Sequence, residues 1–228
     1  MAYSFTANGF TGGHTETNQP SGQIFGSVDN PVAGNIIFGF IALTAGVTLN
    51  SITDSATNTY TIFGPSASKC GFQFWGFYCK TVTYSVTDYL TANYSADSTL
   101  GYTIYYGELQ GNPATGFAGP NGSTTATAAT SVSMDLTGVT AGSAIVAGIL
   151  DTDGEHLITI GGAYSTSFNS NSGTYAYSNE YILSSPGGTV AVDASDLSLA
   201  TDWNMIAMAF NPASVEGIKA RVIRRMAA

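Results

Sequence analysis

The run Phe72-Gln73-Phe74-Trp75-Gly76-Phe77-Tyr78-Cys79 restricts the fold more than any other part of the chain. Read as a strand, it places Phe72, Phe74, Gly76 and Tyr78 on one face and Gln73, Trp75, Phe77 and Cys79 on the other. Both faces are largely apolar, so the strand is expected to be central and covered on both sides. Burying each of these rings contributes about 1.5–3 kcal/mol, and the core is expected here.

The segment just before it reads as a hairpin. Val47, Leu49 and Ile52 lie on one side of a polar stretch, and Tyr60, Ile62 and Phe63 on the other. Asp, Ser and Asn between them favour a turn near Ser55-Ala56-Thr57-Asn58. The flanking residues suit a half-buried pleated surface.

Two continuous apolar runs of strand length, NIIFGFIAL (35–43) and AIVAGIL (144–150), predict fully buried strands. Alternating β-formers predict further strands at 24–28, 81–86, 89–94, 102–109, 132–136, 156–160, 175–183, 189–192 and 203–210. Residues 1–24 are polar and Gly-rich, with a short strand at 3–7, and read as an arm on a neighbouring subunit or as a loosely packed lead-in. Residues 110–130 carry Gly111-Asn112-Pro113 and Gly119-Pro120-Asn121-Gly122 and read as a long loop.

The halves echo each other. Ala33-Gly34 precedes Asn35-Ile36-Ile37-Phe38, and Ala141-Gly142 precedes Ser143-Ala144-Ile145-Val146. Trp75–Tyr78 matches Tyr177–Tyr181 loosely, and Ile104–Glu108 matches Ile206–Phe210. The expected fold is all-β: a two-sheet, jelly-roll-like β-sandwich, pseudo-twofold through an internal duplication. It comprises an arm (1–24), a sandwich (25–213, with halves 25–110 and 131–213) and a basic tail (214–228). Each half alone exposes an apolar sheet face, so the halves should pack on each other.

Charge narrows the function classes. Charged residues make up 9% of the 228, against about 25% in ordinary soluble domains, so Thr, Ser, Asn, Gly and Tyr must cover the surface. The net charge is −9, and four of six cations (Lys219, Arg221, Arg224 and Arg225) fall in the last ten positions. The body repels a phosphate backbone, which argues against nucleic-acid binding. The basic tail reads as an anchor to an acidic neighbour or as a short solvated end. No run of 18 apolar residues predicts a membrane span. The N-terminus lacks the pattern of a signal peptide, so synthesis in a cytosol is expected. Cys70 and Cys79, on one extended strand, lie roughly 25–30 Å apart and read as free thiols.

A buried Gly-Asn-apolar strand, the Thr53-Asp54…Asn58…Tyr60 turn, the aromatic strand around Trp75 and Tyr78, and a Thr/Val strand resemble a family of β-sandwich modules in tailed-phage and prophage virion proteins. The ending Val222-Ile223-Arg224-Arg225 is similar to such C-termini. The resemblance covers residues 33–106 well and 143–210 loosely. It implies a structural or attachment role on the virion and no catalytic residues or cofactor. The family's turn carries Gly where this chain has Thr57.

Candidate sites are few. Asp151, Asp153 and Glu155 begin like a calcium loop, but Gly162 stands where that loop needs its Glu; a tight turn is the other reading. His14 and His156 are the only histidines, and no G-x-S-x-G elbow is present. Asp97, Glu108, Glu180 and Asp193 are carboxylates that a shared groove would turn into a glycosidase pair; as edge and turn residues they are ordinary. Several of the 13 Tyr are expected outward, offering contact area to glycan or protein. The expected function is a non-enzymatic virion subunit, either a capsid decoration or a head fibre. It would be a homo-oligomer, trimer favoured, bound to other virion proteins. A lectin-like module at the tail tip, binding host surface glycan, is the alternative. A glycan-degrading enzyme comes third.

Overall fold

The computed structural model describes residues 3–15, 18–81, 87–100, 102–111, 117–152, 156–172, 174–196 and 200–212. These contain strands and no helix. The first eight strands are β1 (Ser4–Thr15), β2 (Gln23–Asp29), β3 (Ile36–Thr44), β4 (Leu49–Thr53), β5 (Thr61–Phe63), β6 (Phe72–Lys80), β7 (Thr87–Tyr94) and β8 (Tyr102–Gln110). The next eight are β9 (Ala118–Ala129), β10 (Ser131–Val139), β11 (Ala144–Asp151), β12 (Thr159–Ile160), β13 (Asn169–Asn171), β14 (Ala176–Ile182), β15 (Gly188–Ser195) and β16 (Thr201–Phe210).

The duplication is complete at the level of strands. The first eight form sheets β1-β8-β3-β6-β5 and β2-β7-β4; the second eight form β9-β16-β11-β14-β13 and β10-β15-β12. Each half pairs its first strand with its eighth, its second with its seventh and its third with its sixth. Each half is thus a long hairpin folded into a five-stranded and a three-stranded antiparallel sheet. The turns before the central strands match bond for bond. Gly34 N donates to Thr81 O at 2.8 Å and Gly142 N to Ser185 O at 2.9 Å. Asn35 N reaches Val32 O at 3.0 Å, and Ser143 N reaches Thr140 O at 3.1 Å. Aligned on these turns, the ladders equate Tyr78 with Tyr181 and Leu109 with Phe210. The partner of Ile104–Glu108 is therefore Met205–Ala209, one residue earlier than the sequence echo.

The chain is an all-β sandwich as expected, with four sheets instead of two, because each half has enough strands for a sandwich of its own. One core, around Ile41, Leu49, Phe77 and Ala92, lies under the first three-stranded sheet, extended by Val28, Ile37, Cys79 and Leu90. Another, around Leu136, Ile149, Val192 and Trp203, fills the second half. Between the two five-stranded sheets lies the aromatic core: Phe10, Phe38, Phe40, Phe72, Phe74 and Tyr105 from one half, and Val146, Leu150, Ile206, Met208 and Phe210 from the other. The same face of each half turns to its twin, as in an isologous pair.

The aromatic strand β6 is covered on both faces, Phe72 and Phe74 against the second half and Phe77 against the outer sheet. The middle of its sheet is β3, not β6. Three expectations are corrected. Residues 47–63 are not a hairpin, since β4 pairs with β7 and β5 with β6, in different sheets. The segment read as an N-terminal arm is built into the fold: β1 pairs along β8, and Tyr3 and Phe10 join the central core. Most of the Gly/Pro/Thr-rich loop is the edge strand β9 on β16. An edge tolerates Pro120, whose missing N–H costs no internal ladder bond. The expected strand over 81–86 and the tail 214–228 lie outside the described residues, save Thr81.

Candidate functional site

The Asp54 corner is a densely bonded polar feature of the first half. Asp54 Oδ1 accepts from Ala56 N at 3.1 Å and Asn58 N at 2.9 Å. Its Oδ2 accepts from Asn58 Nδ2 at 2.8 Å and from the Tyr60 hydroxyl at 2.9 Å. One carboxylate thus closes the turn that carries the chain from one sheet to the other. Thr57 holds a left-handed φ of 64° there, where glycine is the easier residue. Burial, then the neighbouring Cys79 and Asp54, push the Tyr60 hydroxyl's pKa far up. The motif behind the phage resemblance is, in this chain, a corner brace.

The four carboxylates considered for a hydrolytic groove do not share one. Asp97 is exposed and accepts from Ser21 N at 3.1 Å. Glu108 is fully buried: its Oε1 accepts from Val32 N and Asn35 Nδ2, both at 2.8 Å, and its Oε2 from Thr6 Oγ1 at 2.9 Å. Glu108 pairs with Ile37 at one end of β3, while the Asp97 loop meets Thr44 at the other through Ser98. Some seven strand residues, roughly 20 Å, separate them.

Glu180 and Asp193 do come together, in the second half. Glu180, on β14, is fully buried and faces the second-half core with Ala176 and Ile182. Its Oε2 accepts from Gly161 N at 3.4 Å. Asp193, on the exposed side of β15, reaches over Gly161, where an added Cβ would stand 2.6 Å from Asp193 Oδ1. Burial raises the Glu180 carboxyl to about 8, helped by Asp193 and opposed by the Gly161 bond. The adjoining Tyr164 hydroxyl donates to Ala191 O at 2.8 Å and is pushed upward by burial and by both carboxylates. A carboxyl near 8 suits proton transfer, but Glu180 presents no surface to a polymer.

The remaining candidates are dispersed. Asp151 ends the buried strand β11 opposite Ala176 and Trp203 and is itself fully buried. Asp153 and Glu155 lie outside the described residues, as do Lys219, Arg221, Arg224 and Arg225. Among the described residues no three His, Cys, Asp or Glu gather as metal ligands. His156 is exposed. The tyrosines turn inward: of the described side chains only Tyr89 is exposed, while Tyr3, Tyr94, Tyr105, Tyr164 and Tyr177 are buried. Their hydroxyls find carbonyls inside, as Tyr105 does on Ile149 O at 2.5 Å and Tyr3 on Asn211 O at 2.6 Å.

A polar seam that the sequence did not advertise joins the halves. The tight turn before β6 presents Lys69 to Asp202 (3.2 Å) and Cys70 Sγ to Asp202 O (3.0 Å). Asn204 Nδ2 reaches Ala67 O and Phe72 O, each at 3.3 Å. Cys70 and Cys79 are free and buried. Burial, then Asp202 and Asp151, raise the Cys70 thiol to about 12, so it is an unreactive packing group.

No family model matches the chain, no curated protein matches it, and no solved structure matches it.

Proposed function

We propose that the chain is a non-enzymatic structural protein of a tailed-phage particle, a capsid decoration or head-fibre subunit held to the shell by its C-terminal tail. The observation that carries this reading is the segregation of charge. All fifteen acidic residues precede position 219, where Lys69 and Lys80 are the only cations, and the last ten residues hold the other four. An acidic body with a basic end suits attachment through that end to an acidic shell, with the body held off by like charge. The four stacked sheets, with the described tyrosines mostly turned inward, fit a rigid body better than a glycan-binding face. The resemblance through Asp54, Asn58 and Tyr60 points the same way. On this reading the protein is made in the host cytoplasm, works in the virion, and assembles as a homo-oligomer, trimer favoured.

The test starts with gradient-purified particles of the phage that encodes the chain. Mass spectrometry is expected to find it there in stoichiometric amount, and its absence overturns the proposal. The full chain is then expected to co-sediment with shells lacking it, more weakly as salt rises, while a chain ending at Pro212 stays in the supernatant. Light scattering of the free protein reads the oligomer. Saturable binding to a host glycan with no shell binding would favour the tail-tip module. Turnover of a host polysaccharide would favour the enzyme.

A further inference from the structure

We infer that Glu180, Asp193 and Asn169 form a binding site for a divalent cation of the calcium type in the second half. Glu180 is fully buried, yet its Oε1 accepts no hydrogen bond from any described residue. A buried carboxylate oxygen left in that state is costly, and proteins pair such groups or place them on a metal. A second orphan lies beside it. Asn169 Oδ1 is buried without a donor, and the amide is fixed because Nδ2 donates to Ile158 O at 2.6 Å. Asn169 pairs directly with Ser178 across the β13–β14 ladder, and Glu180 follows two residues on. Paired residues share a face, as do residues two apart, so both orphan oxygens belong to one strip.

Asp193 completes the set from β15. Gly161 runs between the two carboxylates, its N–H on Glu180 and its Cα hydrogens against Asp193. A proton on Glu180 serves its orphan oxygen but leaves the Asp193 charge unbalanced; a cation serves the orphan oxygens and balances both carboxylate charges. Carboxylate and amide oxygens are hard ligands, which selects calcium or magnesium over softer metals. Three separate strands supply them without octahedral regularity, which favours calcium, since calcium tolerates irregular sets of about 6–8 oxygens. The set differs from the Asp151-Thr152-Asp153-Gly154-Glu155 run, of which it uses no residue.

The test is thermal unfolding of the full chain at pH 7 in EDTA, in CaCl2 and in MgCl2, alongside terbium emission excited through tyrosine. Tyr164 adjoins both carboxylates and serves as the antenna. Calcium at a hundred times its Kd is expected to raise Tm by roughly 5–10 °C, with magnesium giving less, and terbium is expected to light up and be displaced by calcium. Glu180→Gln and Asp193→Asn are each expected to abolish both signals. Asp193 is exposed, so its variant keeps the fold whatever Glu180→Gln does. Absence of a calcium shift in the unaltered protein overturns the inference, and so does a shift or terbium signal that Asp193→Asn retains.

Discussion

At the scale of single residues, the carboxylates bonded within the fold have different tasks. Glu108 accepts from Thr6, Val32 and Asn35 and ties β1 and the Val32 turn to β8. Asp54 accepts from Ala56, Asn58 and Tyr60 and braces a corner. Glu180 has one long bond, and burial lifts its pKa from 4.5 to about 8. Without metal, the folded protein thus holds a proton that the unfolded chain gives up near pH 4.5. Glu180's contribution is present in full below that pH. It falls between about 4.5 and 8, by up to about 1.4 kcal/mol per pH unit, and is lost above. Urea unfolding in EDTA at stepped pH is expected to show that decline, and Glu180→Gln to flatten it. An equal slope in the variant would assign the decline to other groups. The sequence named Glu108 and Glu180 as candidates, but letters carry no burial, so it could not tell a tied carboxylate from an orphan. The tyrosines were misread for the same reason: Tyr105 looks like surface cover until Ile149 O is seen to take its hydroxyl.

At the scale of elements, legibility followed apolar content. The strands β3 and β11 announce themselves because both faces are buried and their letters run nearly unbroken in apolar residues. The edge strands β1 and β9 do not, since an edge needs few large side chains. SFTANGFTGGHT and AGPNGSTTATAA read as linker. Period-two alternation also marks a strand without saying which sheet it joins, hence the corner between β4 and β5 mistaken for a hairpin. The docking of β1 depends on close backbone approach. A Cβ on Gly107 would stand 2.3 Å from Gly9 O, inside the irregular stretch where β1 shifts register between Phe5 and Phe10. Gly107→Ala must push β1 off β8, because the obstacle is backbone and cannot rotate away. The expected loss is about 1–3 kcal/mol. Hydrogen exchange is expected to show the β1 amides opening ahead of those of β3. Uniform protection across both strands would show that β1 is not held by this contact.

At the scale of the whole molecule, the duplication was legible from Ala33-Gly34 and Ala141-Gly142, but four layers were not. Sequence periodicity counts strands and does not say how many sheets they make. The consequence of the stacking is that each half keeps a private core and shares a third. Phe38, Phe40, Phe72 and Phe74 are fully buried against the other half, and at about 1.5–3 kcal/mol a ring their exposure is severe. Cut between 111 and 117, the first half should fold on its own inner core yet present this aromatic face to water. Because the face it normally meets is its own structural equivalent, a second copy is the nearest substitute. Fragment 1–115 is therefore expected to self-associate, giving twice its mass by light scattering. Adding fragment 116–228 is expected to draw it into a one-to-one complex that restores the Lys69–Asp202 pair. Replacing Phe40 with Asp should weaken both assemblies. A monomeric, soluble first half that ignores the second would mean that the central core is dispensable, and that the two sandwiches are joined by little more than the chain.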